Sequence, residues 1–184
     1  MYALLLFLHS FFRWLVLSSL IYAILRAYRG FRSGGETPSP GEDRSHGEGP
    51  PHGDSRSHRA IRPVRPFTKA DDAIRHWTAT IAHIQLMIGC ALYFTSPLIK
   101  LFFGHVQGAI GHQELSFFGI VHVSLMILAI VIITIGSALA KRETADADKF
   151  RTMLRWFSIA LMLIFIAIPW PFSPFANRPL FRSF

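Results

Sequence analysis

The sequence predicts an all-α integral membrane protein, a bundle of four transmembrane helices. Three observations predict it. Four apolar runs, at 2–25, 77–94, 115–140 and 154–170, each fall in the range of about 17–25 residues that a helix needs to cross a bilayer. The chain is 51% hydrophobic, and its apolar residues are segregated into those runs rather than dispersed. Its Lys and Arg residues gather between the runs. The whole chain, 1–184, reads as one membrane domain.

The first run resembles a signal peptide in position only. It has no basic n-region, its apolar stretch is too long, and no small-residue cleavage site follows it. Arg26, Arg29 and Arg32 come directly after it, as expected for a retained span. Orientation follows from the basic residues. Ten lie between Arg26 and Arg75 and four between Lys141 and Arg151, against Lys100 alone in the second connection and Arg178 and Arg182 in the tail. The positive-inside rule therefore puts the first and third connections in the cytoplasm and both termini outside, on the periplasmic face of a bacterial inner (cytoplasmic) membrane. The net charge of +8 has the same explanation, so a nucleic-acid partner is discounted.

The connection at 33–65 is rich in Gly, Pro, Ser and charge and nearly devoid of apolar side chains. Such a stretch cannot bury enough surface to offset its ordering entropy, and it reads as a long disordered cytoplasmic loop. His46, His52 and His58 recur within it, but their spacing fits neither a helical face nor a zinc pattern. Order is expected to return at Phe67, with Thr68 or Asp71 capping the helix of the second run. Pro97 ends that run. The piece Leu98–Phe103 is too short to cross and is expected to lie as a re-entrant or amphipathic turn, while His105 and His112 are read as solvated. Pro169, Trp170 and Pro171 close the fourth run as an aromatic anchor, and the tail beyond is expected along the outer surface.

Three of the nine histidines lie inside apolar runs, where an ionisable side chain marks a functional site by default. His9 leads His-Ser-Phe-Phe-Arg, so Arg13 projects from the same helical face one turn on. His122 lies about six residues inside the third run, roughly 9 Å deep at 1.5 Å per residue. His9 lies at a similar depth in the first run, which runs in the same direction. Two imidazoles at matched depth on neighbouring helices are what a bis-histidine haem b requires. Gly119, one turn before His122, would admit a flat macrocycle, and Arg13 would pair with a haem propionate. The plainer alternative is that Arg13 snorkels outward and His9 makes an interhelical hydrogen bond.

His83 should lie about 12 Å from that layer, toward the cytoplasm, on one helical face with Thr80, Met87 and Cys90. It is a candidate quinone hydrogen-bond partner or proton-relay member with Thr80, or a buried histidine bonded to Thr, Ser or a backbone carbonyl. Cys90, the single cysteine, reads as a small buried thiol.

The residues Leu8–Leu17, Ala82–Pro97, Val121-His122-x-x-Leu125-Met126 and Ala167–Phe172 resemble a group of small four-span proteins of Bacteroidetes-type bacteria labelled cytochrome b or cytochrome b-like. The resemblance touches all four runs. It implies a haem-bearing electron-transfer component, not a stand-alone catalyst, with His9 and His122 in the ligand role. The long Gly/Pro/His insertion departs from the compact pattern, and nothing transfers to it. Electron transfer between quinol and an outer-side acceptor is one reading. A non-haem accessory subunit of a larger respiratory or photosynthetic complex, touching other membrane subunits as well as lipid, is the alternative. A transporter acting through His9, His83 and His122 is weakened by the absence of acidic residues within the runs.

Topology is directly testable. A reporter inserted near Gly47 should be labelled from the cytoplasm and one fused after Phe184 from outside. The reverse pattern would invert the assignment of both ends.

Overall fold

The computed structural model describes residues 1–33 and 65–170. Its elements are α1 (Tyr2–Arg32), α2 (Lys69–Thr95), α3 (Pro97–Gly104), α4 (Val106–Ala109), α5 (Gln113–Ser116), a π-helical turn (Phe117–Val121), α6 (His122–Arg142) and α7 (Asp146–Ala167). No strand occurs among the described residues. Among the described residues four helical stretches are long and apolar enough to cross a membrane: α1, α2, the continuous stretch Gln113–Arg142, and α7. The chain is a multi-pass membrane protein whose described residues form helices and their connections. The histidines at 46, 52 and 58 and the aromatic tail after Trp170 lie outside the described residues.

The helices outrun the apolar segments that announced them. α1 continues through Arg26 and Arg29 to Arg32, and α2 starts at Lys69 rather than Trp77. Helical hydrogen bonding carries on past the apolar runs because the polar side chains there are either exposed or, like those of Asp71 and Arg75, paired with other polar groups. Thr68 and Asp71 form a reciprocal capping box: the Asp71 amide donates to Thr68 Oγ1 at 3.4 Å, and the Thr68 amide donates to Asp71 Oδ2 at 2.8 Å. Pro97 opens α3, which has no side-chain cap but tolerates proline at its first position. The eight residues of α3 turn Ile99 and Phe102 inward, so this short amphipathic helix covers one end of the bundle.

α1 packs against α2 and α7, and α6 against α7 and α2, leaving α1 and α6 on a diagonal. Packing along this ring is uneven. In α1 the buried residues begin at Val16 and run to Gly30; in α2 they stop at Ala82. The close-packed half is therefore the one holding the basic helix ends. Its layers are built of small residues, among them Ala23, Ala27, Ala82, Ala129, Ala140 and Ala160, around Leu20, Ile133, Phe150 and Phe157. Small side chains let helix backbones approach where no hydrophobic driving force separates lipid from protein. Two glycines set the approach. A Cβ on Gly30 would lie 2.6 Å from the Phe150 ring, and one on Gly136 would collide with the Cβ of Trp156. Large apolar residues such as Phe7, Phe11, Met87, Phe94 and Phe165 face outward, compatible with contact to lipid.

A polar cluster binds the same half. Asp71 is 1% exposed and accepts from Arg26 Nε at 2.6 Å, from an Arg65 guanidinium nitrogen at 2.8 Å and from Thr68 Oγ1 at 2.6 Å. It ties α1, the start of α2 and the segment before it to one point. Arg75, also buried, donates to Asp72 and crosses to α6, where it donates to the Ser137 carbonyl at 3.0 Å and hydroxyl at 2.6 Å. Each buried charge is thus paired and hydrogen-bonded, the condition under which burial is tolerated.

Gly136→Ala should lower the thermal midpoint in detergent, because overpacking costs about 1–3 kcal/mol and the obstructing atom is fixed to the α7 backbone. Gly108→Ala, where a Cβ meets nothing within 4 Å, should leave the midpoint unchanged or raise it slightly. Equal responses from the two variants would show that the α6–α7 approach is not glycine-limited.

Candidate functional site

The loosely packed half holds a partly open cavity of about 510 Å³. α1 contributes His9, Ser10 and Arg13; α2 contributes Gln85, Leu86, Gly89, Cys90 and Tyr93. α6 adds His122, Val123, Met126 and Ile130, and the end of α7 adds Ile164 and Ile168. The residues of α1 recur at helical spacing along one face, and so do those of α2. The volume lies within the range of small-molecule and cofactor sites, about 300–1,000 Å³. Its walls are mostly apolar, with few polar groups converging.

His9 and His122 meet inside it. Their ring centroids are 6.4 Å apart, and the ring planes are inclined at 69°. The pairing spans the α1–α6 diagonal of the bundle. Each imidazole is held differently. His122 follows the π-helical turn directly, an irregularity that recurs at functional sites because it shifts the register of the side chains beyond it. Tyr93 of α2 donates to the Gly119 carbonyl in that turn at 2.8 Å. The ring itself donates from Nδ1 to the Ala167 carbonyl at 2.8 Å. That bond fixes the tautomer and leaves Nε2 as the nitrogen with a lone pair.

The Ala167 carbonyl is available for a chemical reason. In a continuing helix it would accept from the residue four positions on, which is Pro171 and has no N–H. The Phe165 carbonyl meets the same situation at Pro169, and there the Trp170 indole N–H donates at 2.9 Å. Trp170 in turn packs against Trp14, with centroids 6.2 Å apart.

His9 is set by Gln85. The Gln85 Nε2 donates to the His9 carbonyl at 3.0 Å and lies 3.2 and 3.4 Å from the ring nitrogens Nδ1 and Nε2. An atom nearly equidistant from both nitrogens lies over the ring face and is aligned with neither lone pair. The firm bond is therefore the one to the carbonyl. Gly89, a turn further along α2, faces His9: a Cβ there would lie 3.4 Å from the ring.

The sequence-predicted residues fall into two groups. His9, His122 and Arg13 come together around the cavity, whereas Gly119 does not open onto it. A Cβ at Gly119 would lie 2.8 Å from the Phe102 ring, so its bare face is filled by α3. The glycine beside an imidazole is Gly89. His83 and Thr80 also lie outside the cavity. His83 is exposed, with Nδ1 2.7 Å from the Ala79 carbonyl and Nε2 3.2 Å from the Thr134 hydroxyl; Thr80 donates to the His76 carbonyl at 3.0 Å. The face expected to join His83, Met87 and Cys90 is split, since Cys90 lines the cavity while His83 and Met87 point out of the bundle. Gln85, Gly89 and Tyr93 were missed. Gln85 carried a signal, a neutral amide within an apolar run, one turn before a glycine.

Among the described residues no group of three or more His, Cys, Asp or Glu gathers as a metal site; the convergent donors are two imidazoles. No protein-family model, curated protein or solved structure matches the chain.

Proposed function

We propose that this protein is a membrane b-type cytochrome-like electron carrier of the bacterial inner membrane, in which His9 and His122 hold one haem b across the bundle diagonal. One observation carries the reading, the 6.4 Å separation of the two imidazole centroids within the cavity. Metal–nitrogen bonds of about 2 Å and ring radii of about 1.2 Å put two imidazoles sharing one iron about 6.4 Å apart, centroid to centroid. The donor set suits the group as well. A histidine that ligates a metal characteristically gives its second N–H to a carbonyl or carboxylate, as His122 gives its Nδ1–H to Ala167.

When bound, haem supplies one-electron redox chemistry. The chain's own residues would fix the two ligands, surround them with Leu86, Val123, Met126, Ile130 and Ile164 to exclude water, and bring the cation of Arg13 to the cavity wall. A positive charge there favours the electron-rich state and raises the potential. With both termini outside, the cavity lies in the outer half of the membrane and suits exchange between quinol and an outer-side acceptor. In this orientation the connection containing residues 34–64 is cytoplasmic, where its composition suits a disordered segment.

Protein purified in mild detergent should show a sharp Soret band and a b-type α-band on reduction. His9→Ala and His122→Ala should each abolish or convert that spectrum, while His83→Ala leaves it intact. Arg13→Ala should retain the pigment and lower its potential by tens of millivolts, the order expected for one charge at an effective dielectric of about 20. Colourless protein from haem-sufficient cells would overturn the reading. A non-haem accessory subunit, identified by the complex it co-purifies with, would then replace it.

A further inference from the structure

Hydrogen bonding around the two imidazoles is complete on one side only. His122 has its Nδ1–H placed on a backbone carbonyl. At His9 the polar group next to the ring is the Gln85 amide, and its nitrogen lies over the ring face. The other end of that amide, Oε1, is buried with no hydrogen-bond partner among the described residues. A buried acceptor left unmade costs about 1–3 kcal/mol, and such atoms in folded proteins call for a specific explanation.

A neutral imidazole that offers Nε2 to a metal carries its proton on Nδ1, and in an apolar cavity that N–H must find an acceptor. Gln85 holds an unused acceptor on an amide whose nitrogen is already 3.2 Å from His9 Nδ1. We infer that Gln85 is the positioning residue for His9. Its amide turns so that Oε1 accepts the Nδ1–H while Nε2 keeps its bond to the His9 carbonyl. The two arms of one side chain would then bracket the backbone and ring of the same residue. Gly89 lets the His9 ring lie against α2, because a Cβ at that position would sit 3.4 Å from the ring.

This inference rests on the bis-imidazole reading and adds to it a difference between the ligands. His122 is anchored by a backbone carbonyl at a fixed position, whereas His9 is anchored by a side chain that can be exchanged for a stronger or weaker acceptor. An acceptor on the N–H of a ligating imidazole makes the ligand more basic and stabilises the oxidised metal.

The test is redox titration of the full-length, haem-loaded protein carrying Gln85→Leu or Gln85→Glu, alongside the wild type. Gln85→Leu removes the acceptor at similar size and should raise the midpoint potential. Gln85→Glu strengthens the acceptor and should lower it, with the low-spin electron paramagnetic resonance signal shifting toward imidazolate character. Opposite shifts support the assignment, and so does loss of pigment in Gln85→Leu with retention at a lowered potential in Gln85→Glu. Shifts of the same sign, which a packing role would give, overturn it, as do wild-type potentials in both. Coloured variants at the wild-type potential sink only the role of Gln85, whereas a colourless wild type sinks the haem reading and this inference together.

Discussion

A carbonyl in hydrocarbon cannot be left without a donor, and the end of α7 shows how far that rule reaches. Proline at 169 and 171 removes the two N–H groups that would have served Phe165 and Ala167 in a continuing helix. The replacements are side chains, the Trp170 indole for one and the His122 imidazole for the other. A helix terminus on α7 therefore fixes the tautomer of a ring carried by α6. The π-helical turn before His122 and the Tyr93 hydroxyl that donates into it serve the same ring from the other side. What distinguishes His122 from an incidental polar residue is that three helices contribute to its position.

The second organising feature is the contrast between the two halves of the bundle. At the basic end, alanines and two glycines bring the helices close, and Asp71 and Arg75 stitch α1, α2 and α6 together through fully paired charges. At the other end, longer side chains stand apart around open space. A rigid half paired with a hollow half is a sensible mechanical arrangement for a site. The two imidazoles are carried by helices whose relative positions are already fixed elsewhere along their length.

Much of the fold was legible in the sequence because its signals are local. Run length predicted four spanning helices, and the break between α2 and α3 followed from Pro97. The Thr68–Asp71 cap followed from residue type and spacing. The matched depth of His9 and His122 was legible too, because depth along a span can be counted in residues; that α1 and α6 face each other across a diagonal rather than as neighbours was not. Gly119 was read as open from its place one turn before His122, but Phe102, carried by a different helix, fills its face. Cys90 and His83 do share a stripe of α2, but the seven positions that separate them, about 10 Å at 1.5 Å per residue, leave only Cys90 at the level of the cavity.

Run lengths and charge placement by themselves determined that this chain is a multi-span helical bundle, because bilayer thickness and backbone hydrogen bonding leave an apolar chain few alternatives. Residue spacing within those runs set which side chains share a depth. Tertiary structure alone decided which of them face one another. The rotation of each helix is set by contacts from other helices, such as Gly136 against Trp156 and Gly30 against Phe150. Gln85 beside His9, 76 positions apart in the chain, and the Ala167 carbonyl beside His122 are products of that rotation. No local pattern encodes them, because the energy that selects them is interhelical packing.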